Sequence, residues 1–105
     1  IGDVKGKNVI ILDDMVDTAG TITKAADLMI ENGALSVRAF ASHGVLSDPA
    51  TERIEKSKLT AIYFTDSIPL KKESEKIKVL SVAELIANTI INVNTNKSIS
   101  SSYLV

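Results

Sequence analysis

The sequence predicts an α/β fold, a parallel β-sheet flanked by helices, and three observations carry that expectation. Val9-Ile10-Ile11-Leu12 is an aliphatic run behind Asn8, bounded by Gly6 and by paired acids, the mark of a strand buried on both faces. Ile22, Ala25, Ala26 and Met29 then fall at i, i+3, i+4 and i+7, the spacing of an amphipathic helix. Strand-like and helix-like segments continue to alternate with short connections, giving βαβαβα, and helix-linked strands of this kind lie parallel. With 105 residues the chain is of single-domain size.

Each element has its own local reason. The first strand spans Asn8 to Leu12, and the turn Asp17-Thr18-Ala19-Gly20 leads into a helix of about three turns that Gly33 stops. Ser36 to Ala41 alternates weakly as a second strand. Pro49 suits the first position of a short helix running through Ile54 and Glu55, since proline has no amide hydrogen to waste there. Leu59 to Thr65 reads as a third strand, broken by Asp66-Ser67-Ile68-Pro69. Lys71 to Lys78 carries four Lys and two Glu and reads as a solvated connection. Ile77 to Leu80 is a short fourth strand, and Ser81 is placed to cap a helix with Val82, Leu85, Ile86, Thr89 and Ile90 on one face, ending near Asn92. Asn94 to Ser102, rich in Asn and Ser, reads as a loop or tail. No internal repeat is visible.

Composition removes whole classes of function. The 12 Lys and Arg balance 13 Asp and Glu to a net charge of −1, without the basic stripe that a nucleic-acid binder needs. Aromatic residues make up only 4% of the chain, too few for base-stacking platforms. The absence of cysteine excludes disulfides, thiolate nucleophiles and Cys-held metals, and it suits a reducing, cytoplasmic setting. A single His cannot build a His cluster. No apolar run approaches the ~20 residues that span a bilayer, so no membrane is expected. The chain begins at Ile1, from which we expect a fragment of a longer protein.

In parallel α/β sheets ligands bind beyond the carboxyl ends of the strands, which points to Asp13-Asp14-Met15-Val16-Asp17-Thr18-Ala19-Gly20-Thr21. The unpaired amides at a helix start, the positive end of its dipole and the hydroxyls of Thr18 and Thr21 together suit a phosphate monoester. Gly20 lets the backbone come close to the anion. Asp13 and Asp14 would repel a bare phosphate, yet carboxylates accept well from vicinal sugar hydroxyls or from Mg²⁺-bound water. A sugar phosphate satisfies both halves. The bland alternative makes Asp17 a simple N-cap, Thr21 a first-turn residue and Asp13 and Asp14 solvated acids. It serves for any one of them, and poorly for all together. Neither a Walker glycine–lysine pair nor a G-x-G-x-x-G is present.

The run Val9 to Thr21 resembles the phosphoribosyl-pyrophosphate motif of the type I phosphoribosyltransferase fold, a Rossmann-like architecture, and D-D-M-V-D-T-A-G-T is similar to the ribose-phosphate pyrophosphokinase family. The likeness extends through Gly2 to Lys7, through Ser42 to Ser47 with Pro49-Ala50, through Thr65 to Leu70, and into Ser98-Ile99-Ser100. It implies that residues 1–105 form one C-terminal, phosphoribosyltransferase-like domain of a two-domain enzyme. That enzyme moves the pyrophosphoryl group of Mg·ATP to the C1 hydroxyl of ribose 5-phosphate and releases AMP. The resemblance gives Asp13 and Asp14 to the ribose hydroxyls and Asp17, Thr18, Ala19, Gly20 and Thr21 to the 5-phosphate. It implies no catalytic residue within these 105 residues, because the family's ATP site, metal-binding His and cationic catalytic loop lie upstream. It further implies Mg²⁺ and ATP as partners, a homo-oligomer that is hexameric in the family, and an allosteric anion site using Ser98, Ile99 and Ser100.

Two other readings stay open. A salvage phosphoribosyltransferase uses the same loop to consume the product, although the Met15 to Ala19 wording and the tail favour synthesis. A non-catalytic regulatory relative would keep the sugar-phosphate pocket for sensing. His43 could serve as a base after the second strand, but a His in a Gly-containing loop is more often structural.

Overall fold

The computed structural model describes residues 2–94, and the expected fold class holds. Four strands, β1 (Asn8–Val16), β2 (Ser36–Gly44), β3 (Ala61–Thr65) and β4 (Ile77–Leu80), form one sheet in the order β1-β2-β3-β4. Every neighbouring pair is parallel. Three helices accompany them, α1 (Gly20–Glu31), α2 (Ala50–Lys56) and α3 (Ala83–Asn94).

The core lies on one face of this sheet. Val37, Ala39 and Ala41 of β2, Ile62 and Phe64 of β3 and Ile77 of β4 meet Ile22 and Ala26 of α1 and Ala50 and Ile54 of α2. Ile54 and Ile62 are fully buried, each contributing about 1.5–3 kcal/mol from water exclusion. The apolar stripe read from Ile22 to Met29 therefore faces the sheet, with Ala26 wholly enclosed. Gly33 stops α1 at φ 96°, in the left-handed region, where its amide closes back on Ile30.

The expectation that the first strand is buried on both faces is corrected. Val9 and Ile11 pack against the core, but Ile10 and Leu12 are 62% and 78% exposed. Successive residues of a strand point to opposite faces, and α1 and α2 both cover the same one. The other face carries Ile10, Leu12, Leu80 and a stacked Phe40–Tyr63 pair with ring centroids 4.5 Å apart. Helix α3 starts two residues after Ser81 and buries none of its residues among those described, so its apolar face, Ile86 and Ile90 included, is open.

Several boundaries also move. β2 continues three residues beyond Ala41, β3 begins at Ala61, and Pro49 stands just before α2 rather than at its first position. The connection from Lys71 to Lys78 is not wholly solvated. Lys76 Nζ donates to the carbonyls of Ser57 and Glu55 at 2.6 and 3.1 Å, where the C-terminal end of α2 favours a cation. Lys72 pairs with Asp48 at 2.7 Å, an exposed contact of small energetic weight. Among the described residues no helix is long and apolar enough to cross a membrane. Ser98, Ile99 and Ser100 lie outside the described residues.

Candidate functional site

β1 runs further than its aliphatic core suggests, through Asp13 and Asp14 to Val16. The two acids are thus strand residues rather than loop residues, because β2 extends to Gly44 and keeps pairing with β1. Asp13 lies opposite Ala41, and Val16 opposite Gly44. Val16 is buried, and its carbonyl accepts from the amides of Val45 and Leu46 at 3.0 and 3.3 Å. This anchors the chain immediately before it leaves the sheet.

The turn that follows is held on both sides. The Asp17 carboxylate accepts from the Ser47 amide at 3.3 Å, so Asp17 is not an N-cap. The Thr18 carbonyl accepts from Arg53 Nη1 at 3.1 Å. Ala19 occupies the N-cap position in the left-handed region, φ 64°, and no side chain caps the helix. Thr23 turns back instead, donating its hydroxyl to the Ala19 carbonyl at 2.6 Å. The first amides of α1 are consequently available to an outside acceptor, at the positive end of the helix.

A cleft of about 330 Å³ opens here, lined by Asp13, Met15, Val16, Asp17, Thr18, Ala19, Gly20, Thr21 and Ile22. Six of the seven residues read from the sequence as the sugar-phosphate site thus share one cleft. Asp14 does not line it; the Asp14 amide donates to Asp13 Oδ1 at 2.8 Å. Thr18 and Thr21 are exposed, whereas Ala19 as a whole residue is only 5% exposed although it lines the cleft. Asp13 also borders a second cleft of about 210 Å³ on the open face of the sheet, with Leu12, Phe40, Tyr63 and Thr65. A third space of about 420 Å³ adjoins the first cleft at the helix start, bordered by Thr18, Gly20, Thr21, Thr23, Lys24 and Arg53.

Sequence reasoning missed Ser47 and Arg53, which hold the turn from 30 and 35 residues away. The one available signal was parallel topology, which brings the start of α2 beside the start of α1. His43 lies outside the cleft, its Nδ1 2.8 Å from the Ser67 hydroxyl. Among the described residues no three His, Cys, Asp or Glu side chains converge as a metal cage.

The phosphoribosyl synthetase-associated domain family matches residues 1–105, the whole chain. The chain belongs to that family. Among curated proteins of like sequence, the ribose-phosphate pyrophosphokinase of Porphyromonas gingivalis is 58% identical over 103 residues, covering 98% of this chain and 33% of the relative. That of Wolinella succinogenes is 53% identical over 104 residues, covering 99% and 34%. A crystal structure of phosphoribosylpyrophosphate synthetase from Mycobacterium smegmatis superposes with a TM-score of 0.86 at 45% identity, over 91% of this chain and 33% of that one. The chain therefore spans about a third of the length of these relatives.

Proposed function

We propose that the chain is the ribose 5-phosphate-binding part of a ribose-phosphate pyrophosphokinase, its C-terminal domain with the type I phosphoribosyltransferase fold. The observation that carries this reading is the uncapped start of α1, with Ala19 left-handed and Thr18 and Thr21 exposed, sharing one cleft with Asp13. The amides of Ala19, Gly20 and Thr21 and the two threonine hydroxyls receive the 5-phosphate, and Asp17 holds the turn through the Ser47 amide. Asp13 takes the ribose hydroxyls within the cleft, and Asp14, which does not line it, is assigned to them by the motif's resemblance rather than by its position. This leaves the C1 hydroxyl presented to a nucleotide held by other parts of the protein. The overall reaction we propose is pyrophosphoryl transfer from ATP to C1 with release of AMP, in a cytoplasmic homo-oligomer; the relatives' names support the pyrophosphokinase activity.

Such a site contributes orientation and charge complementarity rather than a covalent nucleophile. Mg²⁺ binds readily through one or two carboxylates together with substrate phosphates, so two cleft acids without a third ligand suit a metal that arrives with ATP. The test is calorimetric titration of ribose 5-phosphate into wild-type and Thr21→Val protein. Removing one hydrogen bond to a charged phosphate costs ~1.5–3 kcal/mol, so affinity falls by about tenfold or more. Because Thr21 is exposed, thermal stability stays the same. Unchanged affinity overturns the assignment.

A further inference from the structure

We infer that Arg53 is a positioning residue for the phosphate turn, clamping the Thr18 carbonyl so that the Ala19 amide is aimed into the cleft. The inference rests on the sugar-phosphate reading above and names what holds that site in its receptive shape. Nothing in the packing of α2 requires this contact. The helix is seated by Ala50, Thr51 and Ile54, while Arg53 stands on its exposed side. Arg53 Nη1 nevertheless donates to the Thr18 carbonyl at 3.1 Å. A Cβ on Gly20 would stand 3.2 Å from that same nitrogen, so the guanidinium lies close over the bare Cα of Gly20.

Peptide geometry turns this contact into a function. The Thr18 carbonyl and the Ala19 amide belong to one planar trans peptide and point in opposite directions. With the carbonyl drawn toward Arg53, the amide is directed away from it. Arg53 borders the space with Lys24, whereas Ala19 lines the adjoining cleft with Asp13 and Asp17, and Thr18, Gly20 and Thr21 border both. The clamp thus orients one anion-binding amide before any ligand arrives. It also opposes relaxation of Ala19, which has a Cβ and yet holds φ 64°, a conformation unfavourable for any residue but glycine. Arg53 is one of only two arginines in the sequence. Its planar fork keeps four donors and a permanent charge beside the helix start after serving Thr18.

The experiment compares wild-type, Arg53→Met and Arg53→Lys protein by titration with ribose 5-phosphate and, separately, inorganic phosphate, following the Ala19 amide by NMR. Arg53→Met, a good helix former on an exposed face, is expected to weaken both ligands by about tenfold while thermal stability stays near wild type. The phosphate-induced shift of the Ala19 amide shrinks in parallel. Arg53→Lys, with a reaching ammonium but no fork, recovers part of both signals. Affinity and amide shift unchanged in Arg53→Met overturn the clamp. So does a loss of affinity in Arg53→Met that tracks a collapse of thermal stability and is no smaller in Arg53→Lys, since that pattern is structural. Wild-type protein that binds neither ligand overturns the sugar-phosphate reading itself, and the clamp falls with it.

Discussion

Replacing Gly44 with alanine drives a methyl carbon into the face of Phe64. An ideal Cβ at Gly44 stands 2.9 Å from Phe64 Cδ1 and Cγ and 3.2 Å from Cδ2, well inside the ~3.5–4.0 Å of comfortable carbon contact. Phe64 is only 3% exposed, so its ring cannot retreat into water and the strand must give way. Overpacking of this kind costs about 1–3 kcal/mol. Alanine's smaller loss of backbone freedom offsets roughly 0.5–1 kcal/mol of that. A net loss of up to about 2.5 kcal/mol, centred near 1, follows, lowering the melting temperature by about 4–8 °C per kcal/mol for a domain of this size. The damage should reach the cleft as well, because Gly44 pairs with Val16, whose carbonyl receives the next two amides before Ser47 meets Asp17. The assay is thermal unfolding, followed by circular dichroism, of Gly44→Ala, Phe64→Leu and the double variant, with ribose 5-phosphate titrated into each. Leucine vacates part of the ring volume, so the alanine should cost less in that background. A cost of Gly44→Ala that is no smaller in the Phe64→Leu background than in the wild-type one would refute the steric argument.

Asp66 accepts from the Val82 amide at 3.0 Å, and that bond, with the Ser81 hydroxyl, holds its carboxyl below the usual carboxylate range. A depressed folded-state pKa stabilises above the unfolded value and is lost as pH falls through the folded one, so amide protection at the start of α3 should drop on acidification below about pH 4. Asp66→Asn should flatten that dependence; a retained pH profile would assign it to another group. Asp13→Asn and Asp14→Asn should each weaken ribose 5-phosphate by about tenfold while sparing inorganic phosphate, since a carboxylate-to-hydroxyl bond is worth ~1.5–3 kcal/mol; equal losses for both ligands would mean that the sugar and phosphate subsites are wrongly divided. The 105-residue chain assayed by itself should release no AMP from Mg·ATP and ribose 5-phosphate, because aligning one substrate does not bring the C1 hydroxyl and the β-phosphorus into line; turnover abolished by Asp13→Ala with Asp14→Ala would show that the catalytic machinery lies within these residues.

The elements were legible wherever a local period decides structure. Ile22, Ala25, Ala26 and Met29 placed α1 because a helix that buries one face must repeat apolar residues at that spacing, and Ile77 to Leu80 is a strand with the bounds its sequence implies. Strand ends were harder to read. β1 outruns its aliphatic core because pairing with β2, not the chemistry of Asp13 and Asp14, sets where the ladder stops. Burial of both faces was also misread, for a reason intrinsic to the signal: Ile10 and Leu12 are as apolar as Val9 and Ile11, and a run of aliphatic residues does not say which element covers which side.

The site shows the same division between what is local and what is not. A helix start with Gly and Thr after an acidic strand end is written in nine consecutive residues, so Asp13 and the turn from Asp17 to Thr21, which line one cleft, could be grouped without knowing the fold. What keeps that turn open comes from elsewhere in the chain. The bland reading of Asp17 as an N-cap is available by sequence because caps are local, but the Ser47 amide claims its carboxylate. No local signal singles out Arg53, and only the side-by-side placement of α1 and α2 on the sheet brings it to Thr18. The groups that would touch the ligand can be found by their chemistry, whereas the groups that aim them are found only through topology, where a residue's meaning depends on a partner some 30 positions away.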